Sequence, residues 1–166
     1  MLAPALIQAG YAVVGVASRG GSAGPLAEEL GLPRLEATEV GQADVVLVAV
    51  PDDQVEAAAR SVRWRPGSIA AHLSGALTAA SLAEAARAGV HVGAFHPMQT
   101  FAGPLSLKGV TFGIEADADE VFEVLRQLAL DLGGTAIRLT AEQKAAYHLG
   151  GVLVSNLTVA LAWAAT

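Results

Sequence analysis

Lys144 and His148 stand one helical turn apart, and on a helix advancing about 100° per residue they share a narrow stripe with Gly151 and Ser155. A lysine and a histidine above two small residues make a pair of proton donors with space beneath them. Such a layout suits polarising a carbonyl or imine, or relaying a proton. Asn156 falls roughly 100° from that stripe. Plainer readings stand beside this one: Lys144 as a solvated first-turn residue and His148 as a hydrogen-bonded buried histidine. His96-Pro97 directly follows an apolar run, which puts the imidazole at the end of a strand, either facing a ligand or fixing a loop. His72 and Ser74, two residues apart, share a strand face, and Ser74-Gly75 allows close backbone approach to a ligand, although a bare strand-to-helix turn needs the same residues. Ser74, in His72-Leu73-Ser74-Gly75-Ala76, does not stand in the Gly-x-Ser-x-Gly elbow of serine hydrolases. The histidines, His72, His91, His96 and His148, show no ligand spacing such as His-Glu-x-x-His, so no metal site is expected.

The runs that must position these groups are Tyr11 to Ala17, Asp44 to Val50, Ile69 to Leu73 and Val90 to Phe95. Each is apolar almost throughout, as strands covered by helices on both faces are. They end in Ser18-Arg19, Pro51-Asp52-Asp53, His72-x-Ser74-Gly75 and His96-Pro97, and ligands of α/β sheets bind beyond such strand ends. Helices are expected over Met1 to Ala9, Pro25 to Leu30, Gln54 to Val62, Thr78 to Ala88 and Asp119 to Leu132, with Gly10, Gly31 and Gly89 as stops. Glu36 to Gln42 reads as a short edge element, and Asp52 and Asp53 as caps for the helix after them. Gly109 to Glu115 and Thr135 to Leu139 complete the strands, and Thr140-x-x-Gln143 opens the last helix as a capping box. The fold class is α/β, a doubly wound, mostly parallel sheet passing into an all-helical segment near residue 140.

Arg19 lies two residues past its apolar run. At the adenosine end of a dinucleotide site an acid reads the ribose 2′-hydroxyl and an arginine accepts a 2′-phosphate, so Ser18-Arg19 points to NADP over NAD. A surface arginine in a turn is the alternative. The net charge of -6, the pI near 5.1 and the scatter of the ten basic residues argue against a nucleic-acid surface and favour a small-molecule substrate. The chain has no cysteine and no basic region followed by a long apolar stretch, which fits a cytoplasmic protein. From Ala145 to Thr166 no Asp, Glu, Lys or Arg occurs, but Tyr147, His148, Ser155, Asn156 and Thr158 interrupt the stretch. It is expected to be buried against another domain or subunit rather than in a membrane.

Together, Tyr11 to Arg19, Val50-Pro51-Asp52, His72-Leu73-Ser74-Gly75-Ala76, His96-Pro97-Met98-Gln99-Thr100-Phe101 and Lys144 to His148 with Ser155-Asn156 resemble a bacterial family of Rossmann-like proteins. Its members carry a C-terminal helical domain of unknown function and are often labelled NADP oxidoreductases. They are similar in architecture to pyrroline-5-carboxylate reductase, prephenate dehydrogenase and the β-hydroxyacid dehydrogenases. The resemblance implies cofactor contacts at Ser18, Arg19, Val50, Pro51, Asp52, Ser74 and Gly75. It also implies substrate chemistry at Lys144, His148, His96 and Ser74. In the β-hydroxyacid dehydrogenases a lysine early on the interdomain helix acts at the substrate carbonyl, with an asparagine one turn later; Lys144 matches the lysine, and His148 stands where the asparagine would be. The resemblance divides the chain into a dinucleotide-binding domain, residues 1–139, and an interdomain helix, residues 140–166, that builds a homodimer. A complete member begins with a strand and a Gly-x-Gly-x-x-Gly loop, so this chain is expected to start inside the helix after that loop and to expose an unpaired central strand edge. A non-catalytic dinucleotide-binding or sensing module is the competing expectation.

Overall fold

The computed structural model of the protein describes residues 2–99 and 106–164; Thr100 and Phe101 of the histidine-proline motif and the side chains of Ser155 and Asn156 lie outside the described residues. The elements are α1 (Leu2–Gln8), α2 (Gly24–Leu30), α3 (Ala37–Val40), β1 (Val45–Val48), α4 (Val55–Ser61), β2 (Ile69–His72), α5 (Ala83–Arg87), β3 (His91–Pro97), β4 (Thr111–Ala116), α6 (Asp119–Asp131), β5 (Thr135–Arg138), α7 (Ala141–Val152) and α8 (Thr158–Ala164). A π-helical turn, Leu153–Leu157, joins the last two. The strands form one sheet in the order β1-β2-β3-β4-β5, parallel except where β4 runs antiparallel to β3.

Pleating assigns the strand residues to two faces. Ala71, Phe95, Phe112 and Ile114 point to the face covered by α6 and α1, where Leu125, Leu128, Leu2 and Leu6 pack on them. Phe95 and Phe112 stack at 4.6 Å between ring centroids, both without exposed surface. Each such side chain contributes about 2–3 kcal/mol of burial. Val48, Ala70 and Val92 point to the other face, against Val55 and Ala59 of α4 and Ala85 of α5. The register pairs His72 with Ala94 and His96 with Gly113, so both histidines lie on this second face, and His96 lies beyond the end of β2.

Local signals placed the helices well. Gly31 ends α2 in the left-handed conformation at φ 63°, and the capping box of α7 is complete: the Gln143 amide donates to Thr140 Oγ1 and the Thr140 amide to Gln143 Oε1. Three expectations are corrected. Tyr11 to Ala17 is extended but is not a strand of the sheet; a single bridge joins Val16 to Arg34, through the Val16 amide to Pro33 O and the Leu35 amide to Val16 O. An apolar run states that burial suits it, not that a neighbouring strand lies beside it. Glu36 to Gln42 holds the one-turn helix α3, because Glu36 and Glu39 form a reciprocal capping box. Asp52 and Asp53 lie inside a 3-10 turn, Asp52–Gln54, and neither side chain caps it or α4.

Candidate functional site at the carboxyl ends of β2 and β3

β2 delivers His72 fully buried at the strand end. Its Nδ1 accepts the Ser74 amide at 3.2 Å and its Nε2 lies 3.0 Å from the Thr78 carbonyl. A donor faces Nδ1 and an acceptor faces Nε2, so the ring is neutral with its proton on Nε2. Burial agrees, pushing the imidazole down from 6.5 to about 4, with Lys144 adding to the depression. Ser74 Oγ accepts the amides of Ala76 at 3.1 Å and Leu77 at 3.0 Å, which curls residues 74–78 into a closed loop. Glu115 of β4 anchors the far end of that loop, its Oε2 accepting the Ala79 amide at 3.0 Å.

Lys144, in the first turn of α7, is 1% exposed and donates from Nζ to the Ser74 carbonyl at 3.0 Å. The solvated alternative therefore does not hold. Desolvation lowers its pKa from 10.5 to about 8, against the opposing pull of the Glu115 and Asp52 carboxylates. A lysine so placed is protonated at neutral pH yet close to giving up its proton.

One turn further along α7, Tyr147 and His148 reach His96. The His96 ring lies edge-on to both, 5.7 Å between centroids in each case. Burial first, then the His148 and Lys144 charges, lower His96 to about 4, and its buried Nδ1 has no hydrogen-bond partner among the described residues. Gly75 lies beneath the two imidazoles. A Cβ there would lie inside contact distance of His148 Nδ1 and 2.8 Å from His96 Nε2, so the loop passes only because residue 75 has no side chain. Tyr147 packs on Gly113 in the same way, with its hydroxyl 3.5 Å from the His96 carbonyl and its pKa raised by burial to about 12. The space expected beneath the Lys144 stripe is partly filled: a Cβ at Gly151 would lie 2.8 Å from Met98 Sδ.

The structure thus brings Lys144, His148, His96, Ser74 and Gly75 together. Val50, Pro51 and Asp52 lie exposed at the neighbouring end of β1. Asp52 is near enough for its charge to act on His72, His96 and Lys144. Arg19, exposed, donates to Gln54 Oε1, which holds the Arg19–Gly21 turn against the turn after β1. Ser18 Oγ accepts the Ala23 amide at 2.7 Å and so shapes the glycine-rich turn rather than facing outward alone. Arg34 was not singled out in the sequence, yet its Nη2 lies 3.0 Å from the position of a Cβ on Gly21. Glu115 and Tyr147 were also missed as site residues. The alternation of Gly109 to Glu115 held the signal for Glu115, because it puts Gly113 and Glu115 on one face.

Among solved structures, the chain is 27% identical to a Bacteroides fragilis protein described as a "putative NADP oxidoreductase", with a TM-score of 0.79 over 96% of this chain and 63% of that one. It shares its fold with an imine reductase of Aspergillus terreus solved with NADPH4 and dibenz[c,e]azepine, at 17% identity and TM-score 0.72, covering 97% of this chain and 58% of the reductase. The same holds for a prephenate dehydrogenase of Aquifex aeolicus bound to hydroxyphenyl propionate and NAD+, at 15% identity and TM-score 0.73, covering 98% and 62%. The chain spans under two thirds of the length of each of these proteins. No curated protein matches it. Residues 110–166 match a domain of unknown function, DUF2520, and residues 1–97 match the Rossmann-like domain; with more than half its length in that match, the chain belongs to the Rossmann-like domain family.

Proposed function

We propose that the chain belongs to an NADP-dependent oxidoreductase that moves hydride to or from a small carbonyl, imine or hydroxyacid substrate. The observation that carries this reading is the Lys144 ammonium, buried and brought to about 8, beside two imidazoles at the carboxyl ends of parallel strands. The nicotinamide, when bound, supplies or takes up the hydride. Lys144 supplies the proton that a newly reduced oxygen or nitrogen requires, or holds that atom by hydrogen bond. His148 shares this role from the next turn of α7. His96, uncharged above about pH 4, and Ser74 line the nicotinamide side, where His96 Nδ1, without a partner among the described residues, is a polar group fit for a hydrogen bond to the ligand. Arg19 takes the 2′-phosphate, with Ser18, Val50, Pro51, Asp52 and Gly75 in contact with the rest of the cofactor; the exposed guanidinium of Arg19 suits that anion. The likeness to the Bacteroides protein supports NADP.

The test is the melting temperature of the chain with NADPH, NADH and their oxidised forms, since a ligand that binds only the folded state raises it by mass action. A shift with NADPH and not NADH is expected, followed by turnover in a screen of carbonyls, imines and hydroxyacids that Lys144→Ala and His148→Ala abolish. A shift with neither coenzyme would overturn the reading.

A second reading, a dinucleotide-binding module without catalysis, is favoured by the 1% exposure of Lys144 and by Met98 filling the space below it. It predicts coenzyme binding with no turnover of any substrate class. Both readings include a cytoplasmic homodimer. Its support is the apolar surface along the last helices, where Leu149, Leu153, Val154 and Leu157 are 46–75% exposed. Among the described residues no helix is long and apolar enough to cross a membrane. Light scattering measures the dimer directly.

A further inference from the structure

His72 is not itself among the expected cofactor contacts or proton donors, yet it is fully buried and bonded at both ring nitrogens. Its two partners are the first and last residues of one loop. Ser74 opens the loop and gives its amide to Nδ1; Thr78 closes it and receives Nε2–H. Between them the Ser74 hydroxyl takes two loop amides, and just beyond Thr78 the Ala79 amide is held by Glu115. The loop's one described polar link to α7 is the Ser74 carbonyl, which receives the Lys144 ammonium.

We propose that His72 is a positioning residue, which by tying Ser74 to Thr78 aims the Ser74 carbonyl at Lys144 and keeps that ammonium away from water. This rests on the reading of Lys144 as the proton donor of the site. Without the tie, the Ser74 amide and Thr78 carbonyl need other partners, the loop relaxes and water reaches the Lys144 Nζ. Removing the desolvation that depresses the ammonium restores it toward the ordinary lysine range. The charged groups facing His72 are Lys144 on α7 and Asp52 after β1, with His96 on β3 near enough to be influenced by it.

The chain suits a direct test because it holds two lysines, Lys108 and Lys144, and four histidines. In protein carrying lysine labelled at the ε-carbon, Lys108 serves as the internal reference while Lys144 is titrated by NMR. The expected wild-type result is a Lys144 midpoint well below that of Lys108, and a His72 ring whose nitrogen shifts report a neutral Nε2–H tautomer at pH 7. His72→Phe, which keeps a ring and removes both bonds, is expected to raise the Lys144 midpoint by about one unit or more; such a shift corresponds to at least tenfold in proton affinity. His72→Asn retains an acceptor for the Ser74 amide and is expected to restore part of the depression, which a loss of packing alone would not do. If His72→Phe does not fold, His72→Asn against His72→Gln carries the same comparison, with the midpoint lower in the Asn variant. An unshifted Lys144 in folded His72→Phe, equal midpoints in the Asn and Gln variants, or a charged or Nδ1–H ring in the wild type would overturn the inference. A wild-type Lys144 that titrates with Lys108 would overturn the proton-donor reading itself.

Discussion

The two ends of the expected cofactor cleft are built in opposite ways. At the β2–β3 end three glycines have their side-chain space filled by a neighbour: Gly75 under His96 and His148, Gly113 under Tyr147, Gly151 against Met98. At the Arg19 end, Gly20 has φ 71° and nothing within 4 Å of a would-be Cβ, and its place in the sequence follows from turn geometry alone. The first end buries His72 and Lys144 almost completely; at the second, Arg19 and Arg34 are exposed and the extended run before them makes one bridge. The contrast suits a division of labour. Groups that exchange protons need a dry, fixed setting that shifts their pKa, whereas a cation that meets a phosphate works from the surface.

The contrast is broken most sharply at Lys144. Lys144→Ala is expected to lower turnover by about 10²–10⁴-fold, as removal of a general acid does, with coenzyme affinity changed little; equal losses in both, measured by steady-state kinetics and coenzyme titration, would make Lys144 a binding residue. Acid comes next. His72 has a folded pKa of about 4 against 6.5 for the ordinary imidazole, so between these values the unfolded chain binds more protons. Stability is therefore complete above pH 6.5 and lost as the pH falls toward 4, by on the order of 3 kcal/mol for His72, with His96 acting in the same direction. Lys144 acts at the other extreme: its depressed pKa makes stability rise as the pH climbs from about 8 to 10.5. Urea denaturation across pH 4–10 reads both, and a flat profile from 6.5 to 4 would show that the histidines are not buried as described.

Glycine substitutions sharpen the same comparison. Gly75→Ala must displace two imidazoles and is expected to cost about 2–3 kcal/mol, as overpacking does. Gly20→Ala meets open space and costs only the left-handed backbone, about 1 kcal/mol. Equal melting temperatures for the two variants would remove the distinction between the ends. The smallest effect is expected for Arg19→Ala: NADPH binding weaker by about tenfold, NADH binding unchanged, and stability within about 0.5 kcal/mol of the parent. Isothermal titration with both coenzymes measures it, and equal weakening for both would place Arg19 away from the 2′-phosphate.

Much of this was legible in the residues. Asp44 to Val50, Ile69 to Leu73 and Val90 to Phe95 contain β1, β2 and the start of β3, because continuous apolar composition is enough to mark strands covered on both sides. Ser74, Gly75, His96, Lys144 and His148 were all singled out from their spacing and do meet. Tyr11 to Ala17 shows where such reasoning ends, since its composition equals that of the sheet strands and its pairing does not. Asp52 and Asp53 show the same for capping: the residue types fit, but the 3-10 turn leaves them before Gln54, the cap position of α4.

What the sequence determined by itself is the set of features governed by nearest neighbours: left-handed glycines at Gly31 and Gly89, the Thr140–Gln143 box, and the apolar periodicity of α6 and of the strands. Hydrogen bonds spanning three or four residues and the two backbone periods act over a few ångströms of chain, so local residue types suffice. The tertiary structure alone decided that Lys144 bonds a carbonyl 70 residues earlier, that Glu115 holds the Ala79 amide, and that two imidazoles close over Gly75. Proton affinity follows desolvation and the charges across the gap, and neither exists until distant strands and α7 have been packed together.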